Sequence, residues 1–268
     1  MTAEHTNLQG YWADLPTTAF NDLPEDLIAV LPLGATEQHG PHLPLSVDTD
    51  LTDAVLARSL DVLSADQKVL IMPTLTITKS DEHNGFPGTL SLSAETLLAV
   101  LRDIAESLNQ TGVRHCVLFN GHGGNNAVLE IAARDMRIRH GMIVCTCSWF
   151  GFADDSRDFG AGALRHDIHA GDLETSAMLA VRSGQVDMHA AQSFAPAQAD
   201  WESGSKFIGL TGQAARPAWI AADLNPAGAC GDAGAATTEK GEHLINSAAR
   251  SFAAFLAEFA IFDPAGIS

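Results

Sequence analysis

Basic residues are scarce in this sequence. Fifteen Lys and Arg stand against 33 Asp and Glu, a formal net charge of −18. Phosphate backbones and anionic membrane surfaces are recognised through clustered positive charge, so neither nucleic acid nor a membrane surface is an expected partner. Long apolar runs are also missing, which excludes a membrane-spanning helix at the sequence level. The first residues, Met1-Thr2-Ala3-Glu4-His5-Thr6, are acidic and polar and lack the basic start and apolar stretch of a signal peptide. The four cysteines, Cys116, Cys145, Cys147 and Cys230, contain no CxxC pair. Three of them lie in apolar strand-like runs, so reduced, buried thiols in a cytoplasmic protein are expected. No GxSxG occurs, which disfavours a serine hydrolase. Gly121-His122-Gly123-Gly124 has neither GxGxxG spacing nor a Walker lysine, which leaves a nucleotide loop poorly supported.

What the sequence does contain is a regular alternation of strand and helix patterns. The 268 residues suffice for one large domain, 1–268, burying roughly three quarters of its unfolded surface. Apolar runs at residues 27–33, 69–72, 115–119 and 142–147 read as buried strands, and residues 74–78 as a further strand or an extension. Helical spacing covers residues 49–63, a stretch capped by Ser93 and stopped by Gly112, residues 126–140, a helix starting at Asp172, and residues 238–259. Residues 1–25 read as an irregular lead with a short helix as an option. Residues 190–235 show little periodicity, and short strands or subunit contacts are expected there. Unbroken apolar strands alternating with helices predict an α/β protein, a three-layer αβα sandwich around a largely parallel sheet. In such folds, sites gather at the carboxyl ends of strands.

Every polar, Gly-rich loop of interest follows a strand. After the first comes Gly34-Ala35-Thr36-Glu37-Gln38-His39-Gly40-Pro41-His42-Leu43-Pro44, with Asp48 beyond it. Glu37 and His39 are two apart and share a face of an extended chain. Glu, His and Asp together suit a divalent metal such as zinc or manganese, while a polar loop with a capping Asp is the plain alternative. His122 follows a strand and precedes a helix, whose N-terminus disfavours the imidazolium. His42 is read either as support behind the ligands or as loop packing, and Glu82 as a solvated neighbour, with support behind a ligand as its alternative.

Glu37-Gln38-His39-Gly40-Pro41-His42-Leu43-Pro44 with Asp48 resembles the signature of the creatininase family of metal-dependent amidohydrolases. Asn120-Gly121-His122 and His169-Ala170-Gly171-Asp172-Leu173-Glu174-Thr175-Ser176 follow in the family's order. The resemblance implies an αβα fold, a homo-oligomer that is commonly a hexamer, and two divalent metal ions, zinc first, with manganese or iron also accommodated. It implies Glu37, His39, Asp48 and His122 as metal ligands, with Asp48 bridging, and His169 as general acid or electrostatic stabiliser. Creatinine-hydrolysing members carry a ligating glutamate two residues after this histidine. Gly124 stands there instead, so Glu174 is expected as the remaining ligand. Arg165 and Ile168 replace a substrate-holding Trp and Glu of those members, which weighs against creatinine. Ser80 and His83, ahead of Phe86-Pro87-Gly88-Thr89, resemble the family's substrate loop, and the backbone at Gly123 can approach a ligand closely. The implied activity is hydrolysis of a C–N bond in a small cyclic or linear amide by a metal-activated water. A formamide or small-peptide hydrolase is the alternative, and a non-catalytic metal- or ligand-binding protein with a degraded site is the third reading.

Overall fold

The computed structural model describes residues 8–210 and 212–264. Residues 1–6, where no signal peptide is expected, lie outside them. The main sheet is built from β1 (Gln9–Tyr11), β2 (Ile28–Leu33), β3 (Val69–Ile71), β4 (His115–Asn120) and β5 (Ile143–Ser148). The five strands are all parallel, in the order β1-β3-β2-β4-β5. The register pairs Ile28 with both Val69 and His115, and His115 with Ile143.

Alternate residues of the central strands feed two separate cores. Ile28 and Val30 of β2, with Val117 and Phe119 of β4, pack against α1 (Val47–Leu60), α5 (Asp172–Arg182) and α8 (Thr238–Ala260). Ala29, Leu31 and Leu33, with Cys116 and Leu118, pack against α2 (Ala94–Thr111) and α3 (Asn126–His140). Both faces are therefore covered, which is why the strands carry no polar side. The short elements α4 (Ala161–Leu164), β6 (Ser193–Phe194), α6 (Gln198–Gly204), α7 (Ala221–Leu224) and β7 (Gly231–Asp232) complete the chain. β6 and β7 pair antiparallel, so the aperiodic stretch does hold short strands.

The caps follow the sequence. Ser93 accepts a hydrogen bond from the Thr96 amide, and Gly112 closes α2 in the left-handed conformation at φ 89°. Two expectations change. The lead contains β1, which lengthens the sheet beside β3. Residues 74–78 form no strand beyond an isolated bridge between Leu33 and Leu75. Their threonines are bound up with the neighbouring loop instead: Thr78 Oγ1 donates to Gly34 O at 2.6 Å, and Thr76 O accepts from Thr36 Oγ1 at 2.7 Å.

From β2 the parallel sheet is extended through β3 and β1 on one side and through β4 and β5 on the other. The crevice between the carboxyl ends of β2 and β4 is thus the topological switch point, where open α/β sheets bind ligands. Among the described residues no helix is long and apolar enough to cross a membrane.

Phe252 on α8 is 1% exposed and packs against Phe119 of β4 at a 4.3 Å ring separation. Truncating such a side chain leaves a cavity that the packed layers fill poorly. Phe252→Ala is expected to cost about 3–5 kcal/mol of folding stability, measured by urea unfolding.

Candidate active site

The loop after β2 delivers Glu37 and His39, both fully buried. The Glu37 amide donates to Leu45 O at 3.0 Å, and His39 Nδ1 lies 3.1 Å from the Glu37 carbonyl. That contact fixes the ring with Nε2 facing inward. Asp48 lies inside the first turn of α1, since the helix starts at Val47, two residues before the spacing suggests. His122 leaves β4 immediately after Gly121. A Cβ on Gly121 would meet Thr52 Oγ1 at 2.1 Å and Asp48 O at 2.7 Å, so only glycine lets the end of β4 reach the first turn of α1. Glu174 comes from the first turn of α5.

These five side chains converge. Asp48 Oδ1 is 3.4 Å from His39 Nε2, and Asp48 Oδ2 is 3.4 Å from His122 Nδ1. Glu37 Oε2 lies 3.2 Å from His122 Nδ1, and Glu174 Oε2 3.9 Å from His39 Nε2. Ligand-type atoms group as Glu37, Asp48 and His122, and as His39, Asp48 and Glu174, within 4.8 Å in each set. Asp48 belongs to both. Glu37 Oε1, His39 Nε2 and Asp48 Oδ2 are buried without a hydrogen-bond partner among the described residues. Such orphans are rare in folded proteins and need an explanation, a bound ion among them.

Charge in the cluster is strongly coupled. Burial pushes His39 down, but Asp48, Glu174 and Glu37 outweigh it and raise the imidazole to about 9. Burial and the Asp48 charge raise Glu174 to about 7, against the pull of His39. His122 is also raised well above its ordinary value, because Glu37, Asp48 and Glu82 outweigh burial. The helix N-terminus expected to keep this histidine neutral is overruled by carboxylates at hydrogen-bonding distance.

His169 lies against His39 and His83, with ring separations of 4.2 and 4.5 Å. Its backbone pairs with Cys230, and Ala170 beyond it adopts φ 54°, a strained conformation for a residue with a Cβ. That turn brings the Ala170 amide to donate to Glu174 Oε2 at 2.5 Å. His169 Nε2 donates to Gln38 O at 2.8 Å, leaving Nδ1 3.8 Å from Glu37 Oε1. Burial, with His39 and His83 beside it, holds His169 well below the usual range and therefore neutral. His169 also groups with Glu37 and His39 in a third set of ligand-type atoms.

Ser80 and His83 stand behind Glu37. The Ser80 hydroxyl donates to Glu37 Oε2, and His83 Nε2 lies 3.5 Å from Glu37 Oε1. Gly123, in contrast, lines the cavity of about 400 Å³ that opens over the centre, together with Asn126, Ser148, Phe150, Ile168 and Leu173. Arg165 points elsewhere and pairs with Glu202 at 2.6 Å. Sequence reading missed Gln38, which donates to His83 Nδ1 at 2.7 Å and Gly228 O at 2.9 Å. It also missed Asn120, whose Nδ2 donates to the His122 carbonyl at 2.6 Å. The run Asn120, Asn125 and Asn126 was the available signal, since asparagine side chains bond readily to nearby loop backbone. Glu82 is no solvated neighbour: its side chain is 13% exposed and lies 3.4 Å from His122 Nε2.

Fold and site define an α/β protein with a buried carboxylate–imidazole centre at the sheet's switch point. Residues 13–256 match the creatininase family, described as creatinine amidohydrolase. The chain belongs to the creatininase family. It is 35% identical to a creatinine amidohydrolase of Pseudomonas putida over 64% of this chain and 71% of that one. It is 33% identical to a mycofactocin precursor peptide peptidase of Mycolicibacterium smegmatis over 59% and 60%. The match to the latter thus spans less than two thirds of that relative's length. A solved manganese creatininase superposes with a TM-score of 0.68 at 29% identity, covering 87% of this chain and 91% of that one.

His42 is 1% exposed, pairs through Nε2 with Thr175 Oγ1 at 2.9 Å and stacks on Phe194. Burial, reinforced by the neighbouring His39 charge, lowers it from 6.5 to about 4. The unfolded chain therefore binds an extra proton between those values, so this contribution to stability is lost as pH falls from 6.5 towards 4 and is constant above 6.5. The stability advantage of the wild type over His42→Gln, measured by urea unfolding, is expected to shrink across that window. An advantage independent of pH would show that His42 binds its proton equally well in the folded and unfolded chains.

Proposed function

We propose that this creatininase-family protein is a binuclear metal-dependent hydrolase of a C–N bond in a small cyclic or linear amide. The observation that carries this reading is the pair of ligand sets sharing Asp48, with buried atoms of Glu37, His39 and Asp48 left unpartnered. Glu37, Asp48 and His122 would hold one cation. His39, Asp48 and Glu174 would hold the other, with Glu174 supplying the carboxylate that Gly124 cannot. Mixed nitrogen and oxygen donors accept zinc, manganese or iron. Solved creatininases of manganese and Zn-Zn type are consistent with zinc or manganese here. Divalent cations in this position supply Lewis acidity, which lowers the pKa of an attacking water and polarises the amide carbonyl.

The chain's own groups do the rest. Neutral His169 presents Nδ1 to the centre, so it accepts a proton from the attacking water and returns it to the leaving nitrogen. Gln38 holds that ring through its carbonyl. Ser80 and His83 brace Glu37 and so act on substrate indirectly, whereas the Gly123 backbone borders the cavity. Ile168 gives the cavity an apolar wall, which with Gly124 and Arg165 argues against creatinine. A formamide or small-peptide substrate is the second reading, favoured by the similar identity to a peptide peptidase and to a creatinine amidohydrolase. Exposed Phe207, Ile208 and Ile220 in residues 190–235 fit a homo-oligomer, a hexamer by family resemblance. The unpaired cysteines fit the cytoplasm.

Elemental analysis of the purified protein is expected to give two metal equivalents per chain, none in Asp48→Ala, and one in Glu174→Ala. His169→Ala should keep both metals and lose about 10²–10⁴-fold in turnover against a panel of ring amides, formamides and short peptides. A wild type that takes up no metal after reconstitution would overturn the mechanism and favour a non-catalytic binding protein.

A further inference from the structure

Beside His122 stands a carboxylate that none of the roles above uses. Glu82 lies in the short turn Asp81–His83. Its Oε2 accepts from Lys79 Nζ at 2.8 Å, and its Oε1 faces His122 Nε2 at 3.4 Å. The Lys79 carbonyl also meets His122 Nε2, at 2.9 Å. Nε2 therefore carries the ring proton, held between a carbonyl and a carboxylate. Nδ1 is the nitrogen left to ligate a cation, and it faces Glu37 Oε2 at 3.2 Å and Asp48 Oδ2 at 3.4 Å.

A second, independent observation concerns Gly124. A Cβ there would lie 2.0 Å from Glu82 Oε1, 2.3 Å from His122 Nε2 and 2.9 Å from Lys79 O. No real Cβ tolerates such distances. The space beside His122 is kept clear at position 124 and is filled by the Glu82 carboxylate. A side chain at 124 and Glu82 in its present place are mutually exclusive.

The geometry points to Glu82 as a positioning residue for the cation site of Glu37, Asp48 and His122: backed onto His122 through the gap at Gly124, it fixes the ring and strengthens Nδ1 as a donor. This rests on the two-metal reading above. A ligating imidazole whose other nitrogen donates to a carboxylate or carbonyl is held in one tautomer and made more basic, and loss of such a partner costs roughly 10–100-fold in metal affinity. The loss of a ligand at 124 and the presence of Glu82 are then linked. The Glu82 carboxylate acts behind a histidine, and the second cation draws its carboxylate from Glu174.

The test is cobalt titration of the metal-free, full-length protein under chelator competition, followed by the visible cobalt absorption, for wild type, Glu82→Gln and Glu82→Asp. Glu82→Gln keeps the size and a hydrogen-bond acceptor but removes the charge. It is expected to bind two equivalents at saturation, with one site weakened roughly 10–100-fold and its absorption band shifted, and the other site within twofold of wild type. Glu82→Asp, which keeps the charge, should recover part of the loss. Unchanged affinity and spectrum at both sites in Glu82→Gln would overturn the inference. Equal weakening of both sites with a lowered melting temperature of the metal-free protein would overturn it as well, since that pattern marks simple packing. A wild type that binds no cobalt would remove the two-metal reading and this inference together, whereas two normal sites in wild type and variant remove only the inference.

Discussion

Asp48 offers one carboxylate oxygen to His39 and the other to His122, and the whole centre is arranged around that division. Its neighbours are two further acids, Glu37 and Glu174, in a region almost closed to solvent. Taking charges out of water costs several kcal/mol per ion even after relaxation. The fold offsets that cost by interleaving acids with imidazoles: the acids push His39 up to about 9, while burial and the Asp48 charge push Glu174 up to about 7 against the pull of His39. Cations between these groups would neutralise the acids directly and release the protons that the histidines otherwise carry.

The scaffold supplies rigidity where the centre needs it. β2 and β4 are central, buried on both faces and paired along six residues, Ile28 with His115 through Leu33 with Asn120. Their carboxyl ends are held by backbone pairing on both sides, which anchors the loops that follow them. α1 and α5 each present an acid from a first turn, where the helix dipole favours negative charge. The strained turn at Ala170 is the exception to this regularity, and it ties His169 and Glu174 together through one amide. Strain of that kind, on the order of 1–3 kcal/mol, persists because the Cys230 backbone pairs across it.

Around the five converging side chains lies an outer set of residues, Gln38, Ser80, Glu82, His83 and Asn120, of which Asn120 also lines the cavity. Each fixes an orientation. Ser80 and His83 hold Glu37, Gln38 holds His83 and His169, and Asn120 holds the turn that carries His122. This outer set decides which nitrogen of each histidine faces inward, and so determines what the centre can bind.

The strand–helix alternation, the two caps of α2 and the five convergent residues were legible in the sequence because each depends on local pattern: apolar periodicity, a Ser or Gly at a helix end, or a motif following a strand. Gly124 could be seen to remove a ligand, but the sequence could not show what takes its place beside His122. Residues 79 and 82 reach that spot across the sheet's loop layer, and only packing brings them there. β1 was hidden because three residues carry no readable period and owe their strand to pairing with β3. The sharing of Asp48 between two sets, the tautomers of His122 and His169, and the placing of Ser80 and His83 behind Glu37 were likewise decided by tertiary structure. They depend on distances between segments far apart in the chain, and sequence spacing carries no information about those.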